Sequence, residues 1–336
     1  MLLNYFKTKT MKIFAFKIFL IIFCFGPQLI NAQDDFVQKD TSFTVFSAFN
    51  KAVKDYPFIK IVKPELPENV IAEKDVVYKL LKNRKLHLDI FHPKDKKKYP
   101  AVLLIHGGGW SSGDKSLLIP MAEKLAAEGY VTASLEYRLS PEAKYPAAIY
   151  DIKDAIKWLR ANSEKYKTDT NKIAVLGCSA GGHLAALVGA TSGLNKFEDK
   201  VVNSNRSNSV QAIIDIDGVL DFTDPNESGK DSYPLKPSAG KKWLGYSYKE
   251  NPEIWVEASS LTYTGKDTPP IAFINSSLPR FHAGREKMIE ILKKYNIYYE
   301  VHTIPETPHP FWLFHPWFEQ AFKYVVNFLD KSLKRK

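Results

Sequence analysis

The stretch KIAVLGCSAGGHLAA, residues 172–186, contains the strongest signal for the fold. An apolar run at residues 173–176 leads directly into Gly177-Cys178-Ser179-Ala180-Gly181, and a small-residue helical pattern follows. This order fits the G-x-S-x-G turn, which holds a serine between a buried strand and a helix with its hydroxyl exposed above a sheet. Glycines on both sides let the strand and the helix approach closely. The stretch predicts an α/β architecture and makes Ser179 the candidate nucleophile.

The surrounding chain repeats the same rhythm of strand and helix. Continuous apolar runs, typical of parallel strands covered on both faces, occur at residues 101–105, 130–135, 173–176, 212–216, 271–274 and 298–304. Between them lie helical patterns, such as the one with apolar residues at 149, 152, 156 and 159. A last helix is expected from about Pro316. The alternation predicts a doubly wound, mostly parallel sheet.

A glycine-rich segment follows the first of these strands. It reads His106-Gly107-Gly108-Gly109-Trp110 and lies one strand-helix-strand unit before the serine turn. Glycines leave backbone N–H groups free to point into a pocket, where they can bind the oxyanion of a tetrahedral intermediate. We therefore predict an oxyanion hole formed by N–H groups of this segment beside the N–H of Ala180, and we expect His106 to brace the loop.

Three motifs together resemble the α/β-hydrolase superfamily. They are HGGGW at residues 106–110, YRLSPEAKYPAAIYDIKDAIKWLR at residues 137–160 and GCSAGGHLAA at residues 177–186. The chain is most similar to the branch of hormone-sensitive-lipase-like enzymes and bacterial acetyl- or feruloyl-esterases, over roughly residues 75–330. The resemblance implies a serine esterase that needs no metal and no cofactor, with Ser179 as nucleophile and an oxyanion hole at Gly108, Gly109 and Ala180.

The superfamily places its partners in the order serine, acid, histidine, with the histidine after the final strand. His309 follows the apolar run at residues 298–304 and is the expected base, whereas His315 is expected to pack or cap at the start of the last helix. The usual position of the acid is the loop after the run at residues 271–274. That loop, residues 276–285, contains no carboxylate, which departs from the family pattern.

Alternative acids must lie close to His309. Glu306, three residues before His309 in a loop stiffened by prolines, is the preferred candidate. Asp221, and less favourably Asp217, follows the strand at residues 212–216 and is the runner-up, and a Ser–His dyad without an acid is the third possibility. In the loop without a carboxylate, Arg280 suits an anionic group of a substrate or a structural ion pair.

The chain begins with the pattern of a secretory signal peptide. Lysines flank an apolar run at residues 18–25, and Ile30-Asn31-Ala32 precedes polar residues, so cleavage is expected after Ala32. We predict a signal peptide at residues 1–32, a lead-in segment at 33–70 and a hydrolase domain at 71–336, with a lid-like insert at about 219–269. The mature protein is expected in the periplasm or secreted, without stable membrane insertion.

Charge and cysteine content limit the possible partners. The net charge is +10, but the basic clusters at residues 94–98 and 331–336 fall in a predicted turn and a tail, so no nucleic-acid partner is expected. Once the signal segment is removed, Cys178 is the one cysteine left, so no intramolecular disulfide is expected.

Aromatic residues near the predicted pocket point to a glycan-linked substrate. They are Trp110, Trp243, Tyr246, Tyr248, Trp255, Phe311 and Trp312. Such rings can stack on sugars, so we predict an acetyl or feruloyl ester of a polysaccharide or oligosaccharide, bound by Trp110, Phe311, Trp312 and Arg280. The alternatives are a serine peptidase on the same fold and a catalytically inactive glycan-binding protein.

Overall fold

The computed structural model describes residues 40–194, 196–198, 205–225 and 237–334. The predicted signal peptide, and residues 33–39 of the lead-in segment, lie outside these ranges, so both remain predictions. The strands are β1 (Lys60–Ile61), β2 (Val70–Leu80), β3 (Lys85–Pro93), β4 (Tyr99–Ile105), β5 (Val131–Leu135), β6 (Thr168–Cys178), β7 (Ala212–Ile216), β8 (Ile271–Ser276), β9 (Tyr299–Ile304) and β10 (Phe314–His315).

The α-helices are α1 (Val45–Ala52), α2 (Ile119–Ala127), α3 (Ala147–Ala161), α4 (Ser163–Tyr166), α5 (Ala180–Ala190), α6 (Ala239–Leu244), α7 (Pro252–Ala258), α8 (Arg285–Lys294) and α9 (Trp317–Leu329). Short 3-10 turns lie at Lys115–Leu118, Ser260–Tyr263, Pro279–His282 and Phe311–Leu313, and a π-helical turn, Asp330–Lys334, follows α9.

Within the described ranges, eight strands form the main sheet in the order β2-β3-β5-β4-β6-β7-β8-β9. The strands from β5 to β9 pair in parallel, while β2 and β3 form an antiparallel hairpin whose β3 pairs antiparallel with β5. The prediction of a mostly parallel, doubly wound sheet is confirmed. Its serine-bearing strand, β6, lies in the interior of the sheet.

Side chains of the central strands point alternately into two apolar layers, as the pleat requires. In β4, Leu103 and Ile105 belong to the layer covered by α3, α5 and α8, while Val102 and Leu104 belong to the layer covered by α2 and α9. Burial on both faces explains why these strands read as unbroken apolar runs rather than as alternating patterns.

The described part of the insert at 219–269 packs into the core through its large aromatic side chains. Trp243 and Trp255 are fully buried, and the Trp243 ring stacks on Trp110 at a centroid distance of 5.2 Å. These contacts hold α6 and α7, two helices of the insert, against the end of the sheet that carries the serine turn. In the described part of the chain, no helix combines the length and apolarity that a membrane crossing requires.

Candidate active site

The serine turn joins β6 to α5 through a strained backbone. Ser179 has φ 57° and ψ −122°, in the left-handed region that L-residues rarely adopt. A Cβ atom on Gly177 would lie 1.9 Å from the Gly181 carbonyl oxygen, so position 177 needs the bare backbone of glycine. The Ser179 N–H donates to the carbonyl of Ile216 at 2.7 Å, which ties the turn to the end of β7. Local strain of this kind presents the serine side chain above the sheet edge.

His309 lies between Ser179 and a carboxylate. The Ser179 hydroxyl donates to Nε2 at 2.7 Å, and Nδ1 donates to the Oδ2 atom of Asp217 at 2.9 Å. The Asp217 side chain is fully buried, whereas 23% of the His309 side chain is exposed. The expected contact between Ser179 and His309 is therefore present. The acid that accepts the hydrogen bond from His309 is Asp217, the candidate that sequence reasoning ranked behind Asp221.

Asp217 follows directly after β7 and receives several hydrogen bonds. Its Oδ1 accepts from the Ser276 backbone N–H at 2.7 Å and from the Asn275 side-chain amide at 3.5 Å, both at the end of β8. Hydrogen bonds of this kind compensate the cost of burying a carboxylate. The end of β8, just before the carboxylate-free loop, thus supplies donors to Asp217, which follows the neighbouring strand β7.

The prediction of Glu306 as the acid is wrong. The Glu306 side chain is exposed, its backbone has φ 54°, and both ring nitrogens of His309 are already engaged by Asp217 and Ser179. The runner-up, Asp221, is wrong as well. Asp221 accepts from the Thr223 N–H and hydroxyl at 2.9 and 2.6 Å and pairs with Lys287 at 3.1 Å, so it stabilises a turn.

The predicted oxyanion-hole residues Gly108, Gly109 and Ala180 line one cavity of about 400 Å³ together with Ser179 and His309. Ala180 is the first residue of α5, so its N–H has no partner within the helix. Gly108 and Gly109 have φ values of 121° and 59°. A Cβ on Gly108 would lie 2.1 Å from the carbonyl oxygen of Ser112, so the loop conformation depends on glycine there.

A second cavity of about 590 Å³ adjoins the first. Ser42, Phe43 and His309 line both cavities, and α1 supplies part of the wall of the second. The N-terminal segment, whose structure the sequence did not predict, therefore forms one side of the cleft beside the catalytic histidine candidate.

The three predicted substrate-binding aromatics are largely buried, and Trp110 also lines the cavity that contains Ser179. Phe311 is completely buried, and the Trp312 ring is buried edge-on against the His309 imidazole at a centroid distance of 5.2 Å. The Trp110 ring is buried against Trp243, and its indole N–H donates to Nδ1 of His183 at 3.2 Å. Arg280 also lines the cavity that contains Ser179.

Other predicted roles near the site are structural. His106 stacks on Tyr137 at 4.5 Å, and its Nδ1 lies 2.8 Å from the Gly107 carbonyl oxygen, consistent with a bracing role. His315 lies 3.9 Å from Glu319 on the first turn of α9. Within residues 40–334, leaving out the undescribed gaps, no group of three or more His, Cys, Asp or Glu side chains is placed to hold a metal ion.

Sequence reasoning missed Phe281, whose ring lies parallel to the His309 imidazole at a centroid distance of 3.7 Å and an angle of 4°. The Asn275 side-chain amide donates to the Phe281 carbonyl at 3.2 Å and so fixes the loop that carries the ring. The rings of Phe281 and Trp312 contact the His309 imidazole on two sides. Phe281 is a positioning residue, since it contacts the base rather than the serine.

Replacing Phe281 by leucine is expected to lower kcat about tenfold, because a favourable aromatic pair is worth roughly 0.5–1.5 kcal/mol beyond its buried area. KM for p-nitrophenyl acetate should change by less than about twofold, since the ring acts on the orientation of His309. Phe281→Tyr retains the ring and should restore kcat. Equal losses in the leucine and tyrosine variants would contradict a stacking role.

His183, next to Trp110, is a buried histidine that is held neutral. Its Nε2 donates to the Ala258 carbonyl at 2.8 Å while Nδ1 accepts from Trp110, and burial lowers its pKa to about 4. Between its ordinary value of 6.5 and about 4, the unfolded chain takes up a proton that folded His183 refuses. Stability should therefore fall as pH decreases through this window.

The expected contribution of His183 is about 3 kcal/mol of unfolding free energy lost between pH 7 and pH 4. Urea denaturation of the wild type and of His183→Gln, which retains a donor and an acceptor but does not titrate, measures it. The wild type should lose about 3 kcal/mol more than the variant. Parallel stability curves for the two proteins would contradict this assignment.

The BD-FAE family model matches residues 88–278, which contain the glycine loop, Ser179 and Asp217. The chain belongs to the BD-FAE family. It is also similar to esterase LipC of Mycobacterium tuberculosis, with 34% identity over 193 residues, which is 56% of this chain and 47% of that protein.

Solved structures give the same picture of the fold. A bifunctional GH43-CE protein of Bacteroides eggerthii has a TM-score of 0.66 and 27% identity, over 78% of this chain and 38% of that chain. Esterase 2 of Thermogutta terrifontis, phosphonylated by sarin, has a TM-score of 0.66 and 25% identity, over 81% and 99% of the two chains. The chain spans about half the length of the curated relatives it matches. The α/β-hydrolase fold predicted from the three motifs is confirmed.

Proposed function

We propose that this protein is a serine carboxylic ester hydrolase. The observation that carries the proposal is the unbroken chain of hydrogen bonds from Ser179 through His309 to the buried Asp217, at a cavity lined by the glycine loop. A nucleophile, a base and an orienting acid within hydrogen-bond reach are the arrangement needed for acyl transfer. The relatives named as esterases support the same reaction.

The geometry suggests the order of events. Nε2 of His309 accepts the hydroxyl proton as Ser179 Oγ attacks the ester carbonyl carbon, and Asp217 stabilises the imidazolium that forms. The N–H groups of Ala180 and the glycine loop bind the oxyanion, each contributing on the order of 3 kcal/mol to the barrier reduction. His309 then protonates the departing alcohol.

Deacylation reverses these roles with water. His309 takes a proton from a water molecule that attacks the acyl carbon, and the returning proton on Nε2 regenerates the Ser179 hydroxyl. The carboxylic acid leaves, and Asp217 remains ionised throughout.

The substrate that we propose is an acetyl or feruloyl ester on a polysaccharide or oligosaccharide. The BD-FAE match and the similarity to a GH43-CE protein support this class. The two adjoining cavities beside His309, of about 400 and 590 Å³, give room for a bulky alcohol. Phe311 and Trp312 are buried and do not line the cavity that contains Ser179, so we propose that the sugar is bound by other groups of that cavity.

We also propose that the mature protein acts in the periplasm or outside the cell. The support is the charged, apolar and small-residue pattern of residues 1–32. The inactive glycan-binding alternative rested on the missing acid, and Asp217 removes that basis.

Release of acid from defined substrates tests the proposed activity. The purified protein is incubated with p-nitrophenyl acetate, acetylated xylan, acetylated pectin and feruloylated oligosaccharides, and nitrophenol, acetate and ferulate are quantified. We expect nitrophenol release and at least one glycan-derived acid. Hydrolysis of the nitrophenyl ester with no acid from any glycan would contradict the substrate class, and an inert protein would contradict the reaction.

A further inference from the structure

The end of β7 joins the serine turn to the turn that carries the acid. The Ile216 carbonyl accepts the Ser179 N–H at 2.7 Å, and the Asp217 N–H donates to the Ile274 carbonyl at 3.1 Å. Asp217 itself has φ 53°, a left-handed backbone that a residue with a side chain adopts only at a cost. Such a conformation persists where its surroundings hold it, so the turn after β7 needs a support.

The Asp215 side chain supplies that support. Its carboxyl is buried, and its Oδ1 atom accepts from the Gly218 N–H at 2.8 Å. Side-chain acceptors that bond a backbone N–H a few residues away are a common means of fixing a turn. The hydrogen bonds to Ile274 and from Gly218 thus fix the peptide groups directly before and directly after Asp217.

The same carboxyl lies close to the helix that begins at the serine turn. A Cβ atom on Gly182, in the first turn of α5, would lie 2.3 Å from Oδ1 of Asp215, and a Cβ atom on Gly218 would lie 2.2 Å from the same oxygen. Both glycines therefore leave the space that the carboxyl fills. Asp215 lies between the start of α5 and the turn after β7, close to the backbone of both.

Packing alone does not explain an aspartate at this position. The other side chains of β7 are apolar, and Oδ2 of Asp215 has no hydrogen-bond partner among the described residues. Burial, together with the nearby charge of Asp217, raises the pKa of the Asp215 carboxyl to about 7, so the side chain is largely uncharged below neutral pH. A buried polar atom without a partner needs an explanation, and breaches of this kind are expected at functional sites.

We propose that Asp215 is a positioning residue for the catalytic acid. Through Gly218 it fixes the direction in which Asp217 leaves β7, and through its place against α5 it sets the spacing between the acid and the serine. The hydrogen bonds that join Ser179, His309 and Asp217, at 2.7 and 2.9 Å, depend on this spacing. The inference rests on the proposed ester hydrolysis and adds a residue to that site.

Substitutions of Asp215 test the proposal against a neighbour on the same strand. Asp215→Ala removes the acceptor of the Gly218 N–H, whereas Asp215→Asn retains an acceptor oxygen in an uncharged side chain of nearly the same shape. Ile213→Ala is the matched control, because Ile213 is a fully buried residue of β7 whose truncation lowers stability without removing a contact of the turn. For each protein, kcat and KM for p-nitrophenyl acetate, the rate of labelling by a fluorophosphonate and the Tm are measured.

We expect Asp215→Ala to lower kcat about tenfold or more and to change KM by less than about twofold, because a displaced Asp217 orients His309 poorly. Labelling by the fluorophosphonate should slow in parallel, since it depends on the same base. Asp215→Asn should retain kcat within about threefold of the wild type, because Gly218 keeps its acceptor. Ile213→Ala should lower the Tm and keep kcat within about twofold.

A folded Asp215→Ala protein with kcat within about twofold of the wild type would overturn the inference, as would an equal loss of kcat in Asp215→Asn or in Ile213→Ala. If the alanine variant does not fold, Asp215→Val is held to the same limits, since it also lacks an acceptor but fills more of the site. Hydrolysis of p-nitrophenyl acetate by the wild type separates this failure from failure of the proposed function. If the wild type is active and the variants match it, only the role of Asp215 is wrong. If the wild type is inert, both proposals are wrong.

Discussion

The Ser179→Ala variant is expected to lose ester hydrolysis by at least about 10⁴-fold in kcat, because removal of a nucleophile that acts as a unit with its base eliminates the covalent route. Hydrolysis of p-nitrophenyl acetate measures the effect. The half-buried Ser179 side chain contributes little to the core, so alanine should preserve the fold, including the strained turn. Circular dichroism and the Tm of the variant verify that it is folded.

Retention of more than about one tenth of the wild-type kcat by a folded Ser179→Ala protein would contradict the assignment of the nucleophile. Cys178→Ala is a suitable matched control. Cys178 is the buried neighbour of Ser179 in the same turn, and burial raises the pKa of its thiol well above the ordinary value. The cysteine is thus kept uncharged, and its loss should leave catalysis close to wild type.

The Asp217→Asn variant is expected to lower kcat by about 10⁴-fold. An asparagine amide can donate to Nδ1 of His309, which would place the ring proton on Nε2 and leave no acceptor for the Ser179 hydroxyl. Glu306→Gln should remain within about twofold of wild type, since Glu306 is exposed and His309 has no free nitrogen for it.

Asp221→Asn provides the second comparison. Asp221 accepts hydrogen bonds from Thr223 and pairs with Lys287, so its loss should reduce stability more than catalysis. Kinetics and urea denaturation of the three variants, measured together, distinguish the three acids. A large loss of kcat in Glu306→Gln with a near-normal Asp217→Asn would contradict the structure of the site.

The sheet and the serine turn were predictable because their signals are local. Unbroken apolar runs identify strands buried on both faces, and the glycines at 177 and 181 reflect a close backbone approach that tolerates no side chain. The contact between Ser179 and His309 also followed from chain order, since parallel strands end at the same edge of a sheet.

The acid could not be chosen from sequence because the contact that identifies it is long-range. Asp217 and His309 lie 92 positions apart in the sequence and meet only because the parallel strands β7, β8 and β9 end at the same edge of the sheet. Nearness in sequence favoured Glu306, but its positive φ and its exposure place it outside the site. One signal was available: Asp217 follows the last residue of the strand directly, whereas Asp221 lies four positions further on.

Aromatic content alone does not separate substrate contacts from core packing. Trp243 and Trp255 of the insert lie in one buried apolar cluster with Trp110, and sequence cannot distinguish such a cluster from a sugar-binding surface. Phe281 was overlooked because a single phenylalanine in a loop has no recognisable pattern. Its role appears only from its parallel stacking on His309.

Labelling with a fluorophosphonate, followed by peptide mapping by mass spectrometry, tests the central claim most directly. Only a serine activated by a neighbouring base reacts readily with this class of reagent. We expect a single adduct on the peptide that contains Ser179, much slower labelling of Asp217→Asn, and none of Ser179→Ala. A folded wild-type protein that stays unlabelled, or that carries the adduct on another residue, would contradict a Ser179–His309–Asp217 catalytic site.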